Sequence, residues 1–350
     1  MSANYKPVSW TRSKLRYDAV VLGAIAIYLL VYLRLGPGLQ RVTLPPDDQT
    51  MTMKAYGSCA FLLLTAILCI GPLARLDRRF LPVLYNRRHL GVMTASVAAG
   101  HALAVLDWYF AYSPVPPLLA LLGADTSFGQ LHGFPFIPFG LFAFIVLLAM
   151  AATSHDFWLA FLTPPVWKAL HMAVYAAYGA LVLHVGLGAL QDVRDPTFAI
   201  VVGLSVVAVC TLHVAAARRE HRRDAALAPL AAESPWIDAG PVDAIPDGRA
   251  IVVRLTGGEP VAIFRNGNTL SAVSGVCAHQ NGPLGEGRVV DGCITCPWHG
   301  YQYRLEDGCA PPPFTERIAT YPLRRDGARV LLDPRPNAPG TPVPPLEMAP

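Results

Sequence analysis

The sequence predicts a multi-domain protein: a six-helix transmembrane bundle followed by a small, strand-built C-terminal domain. Three observations carry this. Hydrophobic residues make up 53% of the 350-residue chain and charged residues only 15%, a balance unlike that of an ordinary soluble protein. Apolar segments of about 20 residues, the length that crosses a bilayer as helix, recur through the first two-thirds of the chain. The last third changes character, with short apolar runs, an Asn-Gly turn signal and two close Cys/His pairs.

Taken in order, residues 1–16 are short, polar and basic, with Lys6, Arg12, Lys14 and Arg16. No small-residue cleavage site follows the first apolar run, so no removable signal peptide is read. The predicted spans are Tyr17–Leu35, Ala55–Leu73, Leu90–Trp108, Phe134–Thr153, Ala169–Leu190 and Phe198–Ala217. The Gly and Pro inside them are tolerated in membranes. Pro114–Gly123 is expected as a short interfacial helix. Residues 218–240 turn to Arg, Ala and Pro and read as a linker. Ala250–Leu255, Pro260–Arg265 and Thr269–Val273 read as strands, with Asn266-Gly267 as the hairpin turn between the last two. Pro334–Pro350 is Pro-rich and expected to be disordered. The division is then 1–16 N-terminus, 17–217 six-span domain, 218–240 linker, 241–333 C-terminal domain and 334–350 tail. No internal repeat is evident.

Loop charge sets the orientation. Basic residues crowd one side: the N-terminus, Arg75, Arg78, Arg79, Arg87 and Arg88 between spans two and three, Lys168, and Arg218, Arg219, Arg222 and Arg223 after span six. The other side holds Arg34, Arg41, Lys54 and Arg194. The positive-inside rule puts both termini and the C-terminal domain in the cytoplasm. The expected location is a multi-pass cell inner-membrane protein. A net charge of +4 gives no argument for a nucleic-acid partner.

The C-terminal domain is organised around Cys277-Ala278-His279 and Cys296-Pro297-Trp298-His299-Gly300. Two Cys and two His in mixed pairs suit an iron centre with two kinds of site. Thiolates match ferric iron, and two imidazoles on one iron of a [2Fe–2S] cluster raise its potential. The competing readings are a zinc site or a redox pair of Cys293 and Cys296. Zinc knuckles use other local spacings, and a redox pair leaves Cys277, His279 and His299 without a role. Cys59, Cys69 and Cys210 lie in apolar segments and read as inert.

From Trp236 to Asp333 the chain resembles the ferredoxin-type Rieske family. The two pairs carry the resemblance, together with Gly292-Cys293-Ile294-Thr295, Pro311-Pro312-Pro313 and Thr320-Tyr321-Pro322-Leu323-Arg324. It implies a small all-β fold with a [2Fe–2S] cluster held at its tip by two loops. Cys277 and Cys296 would bind one iron, His279 and His299 the other. Rieske subunits of quinol–cytochrome c reductases carry an extra cysteine in each loop and a serine donor to a cluster sulfur. Here those positions are Gly282, Trp298 and Tyr301. Fewer donors to the sulfurs imply a lower potential, which argues against a quinol-oxidising subunit.

Ionisable groups inside spans point to function. His101 lies in span three, His171 and His184 in span five and His213 in span six. An isolated histidine can simply hydrogen-bond between helices; four in one bundle suit haem ligation from facing helices. His171 and His184 are separated by about 20 Å of helix axis, so they cannot share one iron. His101 falls between their levels, slightly closer to His184. His89 and His213 are the possible partners of His171, with His89 favoured as a solvated interfacial residue.

Residues 17–216 resemble the ferric reductase-like transmembrane family. That family includes NADPH oxidase membrane domains and, closest here, the haem subunit of periplasmic methionine sulfoxide reductase systems. Arg87-Arg88-His89-Leu90-Gly91 with His101, Thr153-Ser154, and Trp167-Lys168-Ala169-Leu170-His171 with Tyr175 and His184 carry it. The resemblance implies one or two b-type haems held by His101, His171 and His184.

No G-x-G-x-x-G unit opens a helix, so no site for NAD(P)H or flavin is read. The expected function is a membrane electron conduit. A cytoplasmic reductase or ferredoxin would give electrons to the cluster, and they would pass by haem to a quinone or a periplasmic redox protein. The alternative is a membrane-anchored Rieske ferredoxin serving a soluble oxygenase, with a haem-free bundle. A Rieske oxygenase is rejected, because such enzymes need a large mononuclear-iron domain after the cluster.

Overall fold

In the computed structural model the chain divides into two compact units, one within residues 8–216 and one within 217–350. The structure describes residues 12–39, 47–80, 83–84, 86–124, 126–154, 158, 164–192, 196–226, 236–255, 258–279, 282–297, 300–312 and 314–348.

The membrane unit is helical. Its helices are α1 Arg12–Leu39, α2 Asp48–Leu76, α3 Arg87–Tyr112, α4 Pro117–Gly123, α5 Ile137–Ala152, α6 Pro164–Leu187, α7 Ala189–Asp192 and α8 Thr197–Ala226. Among the described residues five helices are long and apolar enough to cross a membrane: Leu15–Gly36, Asp48–Leu76, Arg87–Tyr112, Ala169–Gln191 and Thr197–Arg222. The expected fourth span is the 16-residue α5. At 1.5 Å per residue it extends about 24 Å, short of the roughly 30 Å hydrocarbon core, so the count of six spans is not reached on length. The short helix expected over Pro114–Gly123 is α4, which begins at Pro117; Pro at the first helical turn lacks only a donor that has no partner there anyway.

Asp47 caps α2 by accepting from Thr50 N–H at 2.7 Å, satisfying an otherwise orphan donor. The bundle core takes Phe61, Leu64 and Leu68 from α2, Ala98 from α3, Leu147 from α5, Val174 and Tyr178 from α6, and Val202 and Val209 from α8. Tyr178 stacks on Phe61, centroids 5.6 Å apart, and its hydroxyl meets Thr65 Oγ1 at 3.1 Å. That contact satisfies a polar group where no water can.

The second unit is all-β. Strands β1 Ile237–Pro241, β10 Arg329–Leu332 and β9 Leu323–Asp326 form one sheet in the order β1-β10-β9. Strands β11 Leu346–Glu347, β4 Thr269–Ser274, β3 Val261–Asn266 and β2 Ala250–Val253 form a second in that order, with β8 Thr320–Tyr321 also pairing β4. Strands β5 Arg288–Val290, β6 Cys293–Thr295 and β7 Gln302–Arg304 form a third.

Strand β3 explains why its sequence is continuously apolar. Val261 and Ile263 enter one core with Leu270, Tyr321, Val330, Leu332 and Met348. Ala262 and Phe264, on the opposite face by the two-residue period, enter a second core with Leu284, Ile294, Cys277, Cys296 and Tyr303. The β3–β4 turn sits one residue later than expected. Asn266 pairs with Thr269, so Gly267 and Asn268 form the loop, and Gly267 at φ 59 takes the left-handed first position of a primed turn.

The expected disordered tail is corrected. Its end forms β11, with Leu346 opposite Leu270. Met348 N–H donates to Asn268 O at 2.9 Å, Thr320 Oγ1 donates to Thr341 O at 2.8 Å, and Met348 is buried. Composition alone misleads here: Pro residues lack a ladder donor, but the short edge strand needs only the few donors the tail retains.

Candidate functional site: a buried Cys–His pocket and a facing histidine pair

The second β core closes over the first Cys/His pair. Cys277, His279 and Cys296 are 0%, 2% and 1% exposed. The first loop leaves β4 at Gly275, whose backbone approaches Pro260 O so closely that a Cβ would lie 2.8 Å away. It is closed by Cys277 N–H donating to Gly282 O at 2.9 Å and Leu284 N–H to Gly275 O at 2.8 Å. The second loop is closed by Cys296 N–H donating to Tyr301 O at 2.8 Å and Gly300 N–H to Cys296 O at 3.0 Å. Gly300 supplies the φ of 70 that this turn requires. His299 and Trp298 lie outside the described residues, as does Pro313.

Two tyrosines join the loops. The fully buried Tyr303 hydroxyl lies 3.4 Å from Cys277 Sγ and accepts from His279 N–H at 3.3 Å. With that N–H donating to the phenol oxygen, the phenol proton is directed at the sulfur. Burial pushes the Tyr303 phenol far up from its ordinary value, and charge on Cys277 pushes it the same way. It therefore stays a donor. Tyr301 stacks on the His279 ring, centroids 4.7 Å apart and planes 11° apart. Its own hydroxyl donates to the Glu316 carboxylate, not toward the cysteines. The replacement of the serine by Tyr301 thus leaves the pocket a donor to a cysteine sulfur, Tyr303. Cys293, by contrast, is held protonated, because burial raises its thiol. Among the described residues no cysteines form a disulfide.

In the membrane unit the structure brings His101 and His184 together. Their ring centroids lie 6.4 Å apart with planes at 79°. His101 Nδ1 meets Met53 O at 2.9 Å, and His184 Nδ1 meets Phe136 O at 3.1 Å. A carbonyl only accepts, so each Nδ1 carries the proton and each Nε2 is left for a metal. Two imidazoles bound through Nε2 at about 2.0 Å to one metal put their centroids about 6 Å apart. The donor set thus fits a metal-centred group that these two imidazoles would hold.

Among the described residues His171 is not brought to a second histidine ring. It stacks on Trp167 at 3.6 Å and its Nδ1 meets Trp167 O at 2.9 Å. His213 Nε2 meets the Tyr175 hydroxyl at 3.1 Å. His89, expected to be solvated, instead pairs with the buried Asp18 at 3.0 Å; the partner is on α1, 71 residues away, a separation no local pattern reveals.

Comparison with known proteins fits this division. Residues 235–322 match the Rieske [2Fe-2S] domain, and residues 56–182 match the ferric reductase like transmembrane component. Over 92 residues the chain is 36% identical to the anthranilate 1,2-dioxygenase ferredoxin subunit of Burkholderia cepacia, spanning 25% of this chain and 82% of that protein. It is 32% identical over 98 residues to the ferredoxin component of the naphthalene 1,2-dioxygenase/salicylate 5-hydroxylase systems of a Ralstonia species, 28% of this chain and 93% of that one. The solved ferredoxin of carbazole 1,9a-dioxygenase from Nocardioides aromaticivorans is similar over 29% of this chain and 100% of its own, with 23% identity and a TM-score of 0.27.

The chain belongs to the Rieske [2Fe-2S] family through its C-terminal domain, which is fused to a ferric reductase like transmembrane domain. It is a membrane electron-transfer protein.

Proposed function

We propose that the protein carries single electrons from a cytoplasmic reductase or ferredoxin, through a Rieske cluster and b-type haem, to a quinone or a periplasmic redox protein. The observation that carries this reading is the joining, in one chain, of a buried Cys–His pocket with a membrane histidine pair whose spacing suits two axial ligands. Cys277 and Cys296 hold one iron of the cluster, His279 and His299 the other. His101 and His184 hold one haem; His171 is the candidate ligand of a second. Haem supplies reversible one-electron chemistry at a potential tuned by its ligands.

The chain's own residues position and tune. The Met53 and Phe136 carbonyls fix the tautomer and orientation of the two imidazoles and raise their basicity. Tyr303 directs a proton at Cys277 Sγ and so favours the reduced, more negative cluster. That opposes the lower potential expected from the missing serine, and the direction of flow rests on which centre has the lower midpoint. The basic loop segments favour an inner-membrane protein with both termini and the Rieske domain in the cytoplasm. The helical unit would carry the membrane step and the β domain the cluster; that domain's strands run from Ile237 to Glu347, beyond the limits 241–333 read from the sequence.

A second reading draws on the similarity to ferredoxin components of oxygenase systems: a membrane-anchored ferredoxin with a haem-free bundle. One experiment separates the two. The dithionite-reduced minus oxidised spectrum of the full chain in detergent, with haem quantified as its pyridine complex, is expected to show b-type haem beside the cluster. An intact cluster with no haem would leave only the anchored ferredoxin.

A further inference from the structure

Helices α2 and α5 carry none of the proposed ligands, yet each touches one of the two rings in the same way. On α2, the Met53 carbonyl accepts from His101 Nδ1, and a Cβ on Gly57, four residues on, would lie 2.9 Å from that same Nδ1. At the start of α5, the carbonyl of its N-cap residue Phe136 accepts from His184 Nδ1, and a Cβ on Gly140, again four residues on, would lie 2.6 Å from that Nδ1. The spacing has a geometric cause. A helical side chain tilts back toward the N-terminus and lies over the residue four positions earlier. A side chain at the fourth position therefore covers the flank of the carbonyl, and only glycine leaves it open to an outside donor.

The helices bearing the rings repeat the device in reverse. Gly100, beside His101, admits Tyr56 of α2, whose ring carbon would lie 2.6 Å from an added Cβ. Gly188, one turn after His184, admits Phe136, at 2.7 Å. The carbonyl–glycine spacing is thus present twice, on Met53/Gly57 and on Phe136/Gly140, while the ring-side glycines stand at different offsets from their histidines; the rings meet near a right angle at 79°.

Resting on the haem reading above, we infer that Gly57 and Gly140 are positioning residues. Each opens a carbonyl–glycine slot that turns one imidazole, and the two slots together set the crossed orientation of the axial pair. This goes beyond ligation, since neither glycine touches the metal. Low-spin ferric haem reports the angle between its axial imidazole planes by electron paramagnetic resonance. Crossed planes give a strongly anisotropic signal with one dominant g value; parallel planes give a rhombic one.

The test uses the full chain in detergent, with haem content normalised to the Rieske cluster signal. Gly57→Ala and Gly140→Ala are each expected to lower haem affinity by about 10- to 100-fold, the usual cost of losing a contact that orients a ligand, or to convert the ferric signal to the rhombic type. Gly91→Ala on α3 and Gly179→Ala on α6, where nothing lies within 4 Å, are expected to change neither. If Gly57→Ala and Gly140→Ala keep wild-type haem content and signal while His101→Ala loses haem, the slots are overturned and the haem reading stands. If the wild type holds no haem, both fall. Should the glycine variants lose the cluster signal as well, the wild-type spectrum decides: a rhombic ferric signal contradicts crossed rings and overturns the inference.

Discussion

Around the membrane histidines the orienting partners are main-chain groups; around the Cys–His pocket of the β domain they are side chains. His101 and His184 are held by the carbonyls of Met53 and Phe136, whereas Cys277 and His279 are held by the Tyr303 phenol and His279 also by the Tyr301 ring. The difference follows from the two solvents. In a bilayer a helix already satisfies its backbone internally, and a carbonyl's second lone pair is an acceptor that adds no polar side chain to the apolar interior. In the β domain, loops that close over a pocket leave room for aromatic residues with a polar tip. One consequence is that a single side-chain substitution can remove a hydrogen bond to the cluster pocket, while the carbonyls that hold the membrane pair are reached through the ligands and the residues packed beside them, the glycines and the Phe136 ring against His184.

The largest expected effect breaks the membrane side. His101→Ala or His184→Ala should abolish haem bound between them while leaving the Rieske signal intact, measured as haem per cluster. Retention of haem in both would remove the pair from the function.

Next in size is a test of the docked tail. Met348 is 6% exposed in the core shared by β3, β4 and β10. Met348→Ala should cost about 2 kcal/mol or more, lowering the thermal midpoint of the β domain by about 8 °C or more. An unchanged midpoint would return the tail to the disordered state that its composition suggests.

Tyr303→Phe sharpens the cluster side. Losing a hydrogen bond of about 1 kcal/mol that favours the reduced state should lower the cluster midpoint by about 40 mV for one electron. A midpoint unchanged or raised would show that the phenol proton does not serve the sulfur.

The smallest effect concerns pH. Arg335 donates to the Asp333 carboxylate at 2.7 Å, and that contact holds the Asp333 carboxyl below its ordinary value of 3.8. A depressed folded value means stability that is present above the unfolded value and lost as pH falls through the folded one. Asp333→Asn should therefore weaken the β domain slightly at neutral pH, with the difference vanishing in acid. A difference that grows in acid would reverse the assignment.

The sequence made legible what depends on composition and spacing. Apolar length revealed the long helices, and Cys277, His279 and Cys296 marked the pocket. The 13-residue separation of His171 and His184 already forbade their sharing an iron, because helical rise is fixed. What stayed hidden depends on long-range meetings. Asp18 with His89, Tyr301 with Glu316 and Met53 with His101 are joined only by the fold. Other features follow a local pattern. Asp291-Gly292 is a strong hairpin dipeptide, and both residues take positive φ, 50 and 74, in the turn where Val290 pairs with Cys293. The Pro-rich tail was misjudged because composition cannot register a free edge on β4 waiting for a partner.

The most direct test of electron transfer within one chain is rapid mixing of the oxidised full-length protein with a reduced soluble ferredoxin-type donor, following haem reduction optically. The same measurement is made on Cys296→Ser, prepared to equal haem content. Haem reduction in the wild type that collapses without the cluster is the predicted result. Equal rates in the two proteins would contradict the conduit, leaving the Rieske domain and the membrane histidines as separate functions on one chain.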